Sequence, residues 1–214
     1  MAQDLLQVSD GFANPVIESQ RTFRAVLEAL AHPGKIVTLH GNPQTPSGTC
    51  PTAASILLTL LDSDCSLWID SAICTPAVKG WLTFHTGCTI DPEPGAAQFA
   101  WISDLSALPA FSTFCCGTDR YPDSSATLLI NVPALADGEV CGEDAVGLRL
   151  EGPGVPNSRT VYLPGIDFAY IARFVAMRAA NHEIFPCGVD VYLTTPETIV
   201  GLPRTTKVDI ARGR

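Results

Sequence analysis

The stretch ATLLINV, residues 126–132, decides the fold class, because its apolar side chains follow one another with little alternation. A strand that exposes one face to water alternates apolar and polar residues, whereas a strand buried on both faces does not. Strands of the second kind are typical of parallel sheets that carry helices on both sides. The stretch therefore predicts a central strand in a covered sheet.

Strands and helices alternate on the N-terminal side of this stretch. The expected strands are KIVTL (35–39), SLWID (66–70) and AQFAWIS (97–103). The expected helices are 14–31, 52–61, 75–86 and a short one from Asp104. Asn14 and Thr75 each precede a proline, the pattern of a capping residue with proline at the first helical position. Such alternation predicts a mostly parallel sheet.

The C-terminal part adds antiparallel elements and one more helix. VGLRLEG (146–152) and RTVYLP (159–164) bracket a loop, and VDVYLTT (189–195) and TIVGLP (198–203) are expected to turn around Pro196-Glu197. A helix is expected over 167–181. Residues 1–13 are expected to be a loose lead-in, and 133–145 an irregular excursion. The predicted architecture is a single α/β domain over 1–214, a three-layer α/β/α arrangement with a mixed, mostly parallel sheet.

Composition excludes some classes of partner. The formal net charge is −9, and only 16% of residues are charged while 46% are hydrophobic. Nucleic-acid binding needs clustered Lys and Arg, so it is excluded. The low charge suggests that another chain covers part of the surface. The start MAQDLLQVSD carries no secretory signal and no apolar run could span a bilayer, so a cytoplasmic location without membrane contact is expected.

Cysteines are numerous but lack the spacing of a metal site. No pair has C-x-x-C spacing and no Cys/His cluster has zinc spacing. A free thiol among apolar residues behaves as a small hydrophobe. We therefore expect no bound metal and eight reduced thiols, at positions 50, 65, 74, 88, 115, 116, 141 and 187.

Several cofactor and catalytic motifs are absent. The chain has no P-loop, no G-x-G-x-x-G after the first strand, no H-E-x-x-H and no G-x-S-x-G. Gly152-Pro153-Gly154 is a lone G-x-G, for which a tight turn between strands is the favoured interpretation. A pyridoxal phosphate enzyme needs a Schiff-base lysine, and none of the three lysines has a recognisable context. No cofactor is expected.

A few residues remain as ligand or interface candidates. Arg24 lies four residues before Glu28, so a solvated ion pair competes with a ligand role. His85 ends a helix, where bonding to exposed carbonyls competes with a ligand-facing role. Asp190 opens a strand after Gly188 and could cap it, or hold an arginine or a ligand hydroxyl. Gly34 and Gly188 mark backbone turns, as do Gly152 and Gly154.

The segment GLPRTTKV, residues 201–208, could hold an anion. Arg204 offers a planar fork of donors, and Thr205 and Thr206 add hydroxyl groups. In a strand, however, Thr205 would project to the face opposite Arg204 and Thr206. The favoured interpretation is that Arg204 binds an acid of its own fold, Asp62 or Asp190, or an acid of a partner subunit.

Six short blocks of the sequence belong together: QRTFR (20–24), AHPG (31–34), LLTLLD (57–62), TFHT (83–86), FPCGVD (185–190) and LPRTT (202–206). In their residues and their order, these blocks resemble the H-subunit (PhnH) family of the bacterial carbon–phosphorus lyase system. The resemblance extends from about residue 14 to residue 210, while 1–13 and 133–145 depart from the family's pattern.

The resemblance implies a fold similar to the large domain of pyridoxal-phosphate transferases, pared down and without the cofactor. It implies a homodimer that joins G, I and J subunits. In the family, that complex displaces adenine from ATP with an alkylphosphonate, before a separate radical step by the J subunit, and the resemblance implies the same role here. No catalytic residue is carried over to this chain, and its surfaces for each partner and its phosphonate specificity stay open.

If the chain belongs to this family, two functions remain open. It is either a scaffold subunit or a subunit that also supplies a pocket for ATP or phosphonate. A free-standing α/β transferase acting on a small phosphorylated substrate is the alternative outside it.

Overall fold

The computed structural model describes residues 10–41, 43–138 and 146–212. Its four α-helices are α1 (Pro15–Ala31), α2 (Pro51–Leu60), α3 (Pro76–Thr86) and α4 (Phe168–Glu183). Its strands are β1 (Val37–Thr38), β2 (Ser66–Ile69), β3 (Thr89–Ile90), β4 (Phe99–Ile102), β5 (Thr127–Asn131), β6 (Ala136–Asp137), β7 (Val146–Glu151), β8 (Arg159–Tyr162), β9 (Asp190–Thr194), β10 (Thr198–Leu202) and β11 (Lys207–Arg212).

A seven-stranded mixed sheet forms the centre, in the order β1-β10-β9-β5-β4-β2-β3. Strands β9, β5, β4, β2 and β3 are parallel, and β10 and β1 add an antiparallel edge. The stretch that opened the sequence analysis supplies β5, whose central residues Leu128, Leu129 and Ile130 are fully buried. The predicted mixed, mostly parallel sheet is confirmed.

Helices α1, α2 and α3 cover one face of this sheet. Their caps follow the sequence patterns, since the Asn14 side chain accepts from the Ile17 amide and Thr75 accepts from the Val78 amide. The core on this face includes Ala53, Ile56, Leu57, Trp81, Leu82, Leu67, Trp101, Leu129 and Ile199. Burial of α2 follows from its apolar sequence, because a helix without a polar face must be covered.

The other face is covered by α4 together with a second sheet. This antiparallel sheet has the order β11-β7-β8-β6, and its Leu148, Leu150 and Val161 share a core with Phe174 of α4. The third layer of the predicted α/β/α arrangement thus contains α4, as expected, but also an antiparallel sheet that was not expected. Strand β11 pairs along its whole length with β7, a partner distant in sequence that local patterns did not indicate.

Two other sequence expectations need correction. No helix starts at Asp104, because its carboxylate accepts from the Ser106 and Ala107 amides in a turn, and Pro109 follows. The excursion expected over 133–145 contains β6, while 139–145 lie outside the described residues. The lead-in of 1–13 also falls mostly outside them. No helix among the described residues is long and apolar enough to cross a membrane.

Candidate functional site

The predicted candidate Arg204 forms an ion pair with Asp190. The guanidinium Nη2 lies 2.6 Å from Asp190 Oδ2, and Nε lies 3.2 Å from the same oxygen. The backbone amide of Arg204 also donates to Asp190 Oδ1 at 2.7 Å. The side chains are only 15% and 22% exposed. Of the acids considered from sequence, Asp190 is therefore the partner and Asp62 is not.

The remaining donors of Arg204 are also occupied inside the chain. Nη1 donates to the carbonyl oxygens of Pro122 at 2.7 Å and Pro186 at 3.2 Å, and Nη2 donates to the Ser125 hydroxyl. A guanidinium has five N–H donors, and these contacts together with Asp190 engage all five. Arg204 thus ties its own turn to two other segments, 122–125 and 186–190, and has no donor left for an external anion.

Residues 203–206 form a turn and not a strand. The Thr206 amide donates to the Pro203 carbonyl at 2.9 Å, which closes the turn between β10 and β11. The two strands belong to different sheets, so the chain must change direction here. Thr206 is buried, whereas Thr205 is partly exposed. The expected alternation of 204–206 along a strand is therefore wrong.

Arg178 binds the turn at 203–206 from helix α4, and sequence reasoning missed this residue. Its side chain is fully buried on α4, and it donates to the carbonyl oxygens of Pro203 at 2.5 Å and Thr206 at 3.2 Å. Burial lowers the pKa of the guanidinium to about 10, although Asp190 opposes this effect. The one available signal was a charged residue one turn after Phe174 on the inward side of the helix.

Gly188 is required by close packing against α4. Its φ is +117°, and an added Cβ would lie 2.8 Å from Asn181 Oδ1. Asn181 itself bridges both backbone groups of Val189, donating to the carbonyl at 3.1 Å and accepting from the amide at 2.8 Å. The segment that precedes Asp190 is thus fixed on α4, and this holds the carboxylate in place for Arg204.

The other predicted candidates lie elsewhere. Arg24 is exposed on α1, and Glu28 pairs with Lys35 at 2.6 Å and not with Arg24. His85 lies at the end of α3, in edge contact with the rings of Trp81 and Phe84. Gly34, Gly152 and Gly154 have positive φ in loops, the last two in the turn between β7 and β8 that the sequence predicted. The structure does not bring Arg24 or His85 into contact with Arg204.

A separate crevice of about 600 Å³ opens at the carboxyl ends of β2, β3 and β4. After β2 the chain enters α3 on one face, whereas after β4 it supplies Leu105 and Leu108 to the core on the other face. Neighbouring parallel strands whose connections leave to opposite faces define a topological switch point, where open α/β sheets bind ligands. Sequence reasoning did not identify this crevice, because its residues come from separate segments.

The crevice is lined by a hydrogen-bonded acid, Asp70, and by two charged side chains that form no ion pair among the described residues. The buried Asp70 accepts from the Ser103 amide at 3.2 Å and from the Ser103 hydroxyl, which ties the ends of β2 and β4 together. Lys79 and Asp91 also line it and form no ion pair within the described ranges. Its apolar lining includes Trp68, whose ring is in edge contact with Phe114.

Among the described residues, the cysteines form no disulfide, and the cysteines and acids form no metal site. Seven cysteines among the described residues are free, and Cys141 lies outside them. No group of three His, Cys, Asp or Glu residues in the described part of the chain could hold a metal ion.

Comparison with known proteins gives consistent matches. The family described as bacterial phosphonate metabolism protein (PhnH) matches residues 10–209. The chain is 34% identical over 201 residues to alpha-D-ribose 1-methylphosphonate 5-triphosphate synthase subunit PhnH of Rhizobium meliloti (strain 1021), covering 94% of this chain and 95% of the relative. It is 27% identical to a putative C-P lyase subunit protein, HtxG, of Stutzerimonas stutzeri, covering 89% and 86% respectively.

Proposed function

Because this chain belongs to the bacterial phosphonate metabolism (PhnH) family, we propose that it is a subunit of a carbon–phosphorus lyase system. Within that system it serves the transfer of the ribose 5-triphosphate part of ATP to an alkylphosphonate, with adenine displaced. The carrying observation is the match to a synthase subunit across 94% of this chain. The chain has no independent catalysis in this proposal and works only with its partners.

The finer assignments belong to the same proposal. The partners are a second copy of this chain and the G, I and J subunits, and the location is cytoplasmic. Residues 1–214 act as one domain, related to the large domain of pyridoxal-phosphate transferases without its cofactor. Two observations support an assembly role. All N–H donors of the Arg204 side chain are engaged inside the chain, so none is left for a ligand, and large apolar side chains are exposed on α1 and α3.

Co-expression with the partner subunits tests this proposal. A tagged form of this chain should co-purify with the G, I and J subunits, and the complete set should release adenine from ATP when methylphosphonate is added. Omission of this chain should abolish adenine release, and the chain alone should release none. Turnover of ATP and phosphonate by the purified chain alone would instead support the free-standing transferase.

A further inference from the structure

We propose that the crevice at the carboxyl ends of β2, β3 and β4 binds the nucleoside end of a nucleotide. In this arrangement the Asp91 carboxylate accepts hydrogen bonds from the ribose hydroxyls, and Lys79 neutralises the first phosphate. The inference rests on the proposed function, which supplies ATP as the nucleotide, and it assigns to this chain a direct part in holding that substrate.

The position of Asp91 carries the argument. It directly follows β3, the parallel neighbour of β2, and α3 connects the two strands. In dinucleotide-binding sheets an acid about 20 residues after the first strand, at the end of the next strand, binds the ribose hydroxyls. Asp91 occupies the equivalent place relative to β2. One of its oxygens accepts from the Glu93 amide at 2.8 Å, and the second accepts no hydrogen bond from the described residues.

The two acids of the crevice have different tasks. Asp70 uses both oxygens internally, since Oδ2 accepts from Ser103 and Oδ1 accepts from the Ala72 amide at 3.2 Å. It therefore stabilises the floor of the crevice and has little capacity left for a ligand. Asp91 is the acid with a free oxygen, so it is the group that can accept from a ligand hydroxyl.

The crevice can hold a nucleoside but cannot neutralise a triphosphate. A volume of about 600 Å³ lies within the range of small-molecule sites, and Trp68, Ile90 and Pro109 supply an apolar wall for a base. Among the described residues, Lys79 is the only cation that lines the crevice. The segment 71–75 contains no glycine, so the close backbone approach that cradles a pyrophosphate in dinucleotide-binding sheets is missing. The outer phosphates must therefore be bound by another chain.

Direct binding measurements test the inference on the full chain and on the assembled complex. Trp68 is the one tryptophan of the crevice lining, so its fluorescence should change when adenosine 5′-monophosphate is added. We expect Asp91→Asn to weaken this binding about tenfold, because it removes a charged acceptor. The matched control Asp64→Asn, at the opposite end of β2, should bind like the parent. Adenine alone, which lacks ribose, should show no difference between the two variants.

Lys79 is tested in the same way. Lys79→Met should weaken binding of adenosine 5′-monophosphate and leave binding of adenosine unchanged, whereas Lys207→Met should change neither. If the assembled complex forms but no adenine compound alters the fluorescence at millimolar concentration, or Asp91→Asn binds like Asp64→Asn, the inference is overturned while the proposed function stands. A chain that fails to co-purify with its partners contradicts the proposed function itself.

Discussion

All five N–H donors of the Arg204 guanidinium bind groups of the same chain. Its removal leaves Asp190, largely buried, without its ion-pair partner and takes away the donor that binds the Pro122 carbonyl. Breaking a buried pair on one side costs roughly 3–5 kcal/mol. Because the pair keeps some exposure, we expect Arg204→Ala to lower the free energy of unfolding by about 3 kcal/mol. Urea unfolding of the purified variant measures this loss.

Arg149→Ala is the matched control for this substitution. Arg149 also pairs with an acid, Glu151 at 2.6 Å, but both side chains are about half exposed. Exposed pairs contribute at most about 1 kcal/mol, so this variant should unfold like the parent. An Arg204→Ala protein that keeps its stability and its assembly, yet loses nucleotide or phosphonate binding, would show that Arg204 serves a ligand.

Buried thiols give the protein a predictable response to pH. Burial raises the pKa of Cys50 and Cys88. At a pH at which these thiols are already ionised in the unfolded chain, they are therefore still protonated in the folded protein. Their contribution to stability is present below the unfolded pKa and is lost as pH rises towards the folded pKa. At pH 8 we expect a thiol reagent to label Cys50 and Cys88 only after urea is added. Rapid labelling of either residue in the folded protein would contradict their burial.

How far the sequence predicts this site depends on the distance between partners. The Arg204–Asp190 pair could be foreseen, because an acid that opens a strand and an arginine that closely follows a strand are simple local signals. The role of Arg178 could not, since its acceptors are backbone carbonyls that no sequence pattern encodes. The crevice could not be foreseen either, because it depends on which face each connection covers.

Helix α1 rests directly on strand β10, and this contact depends on one glycine. A Cβ on Gly201 would lie 2.6 Å from the backbone carbon and oxygen of Ala29. No side chain can move aside to accommodate it, so α1 must shift. We expect Gly201→Ala to destabilise the protein by about 2 kcal/mol or more, by the cost of overpacking, as measured by thermal unfolding.

Gly80→Ala provides the opposite outcome at the same chemical change. Gly80 lies inside α3, and an added Cβ there meets nothing within 4 Å. Alanine is the better helix former by roughly 0.5–1 kcal/mol, so this variant should be more stable than the parent. Equal effects of the two substitutions would contradict the close contact between α1 and β10.

At the scale of the elements, capping signals in the sequence located three of the helices correctly, whereas strand pairings between distant segments could not be predicted. Caps at Asn14, Thr75 and Asp167 begin the three helices expected there. The expected helix at Asp104 failed because a local carboxylate turn competes with helix formation. The second sheet was missed because β11 pairs with β7, from which it is separated in sequence by β8, α4, β9 and β10.

At the scale of the whole molecule, an apolar stripe on α1 has no partner among the described residues. Val16, Phe23 and Leu27 recur at helical spacing and are 80%, 45% and 51% exposed, while Val26 and Ala29, which pack into the core, are buried. Exposed side chains of this size in a row indicate an interaction surface. Arg24 and Glu28 beside the stripe carry both signs of charge, which suits contact with a two-fold copy of the same helix.

We therefore expect the chain to sediment as a homodimer at micromolar concentration, burying at least about 1,200 Å² in total, as a specific interface requires. Phe23→Gln/Leu27→Gln should shift it to monomer, because both substitutions place amides in the apolar centre of the contact. The control Phe168→Gln/Ile210→Gln removes two exposed apolar side chains from α4 and β11, on the other face of the central sheet, and should leave the dimer intact. A monomeric parent, or a control that dissociates while the α1 variant does not, would show that the stripe meets a different partner.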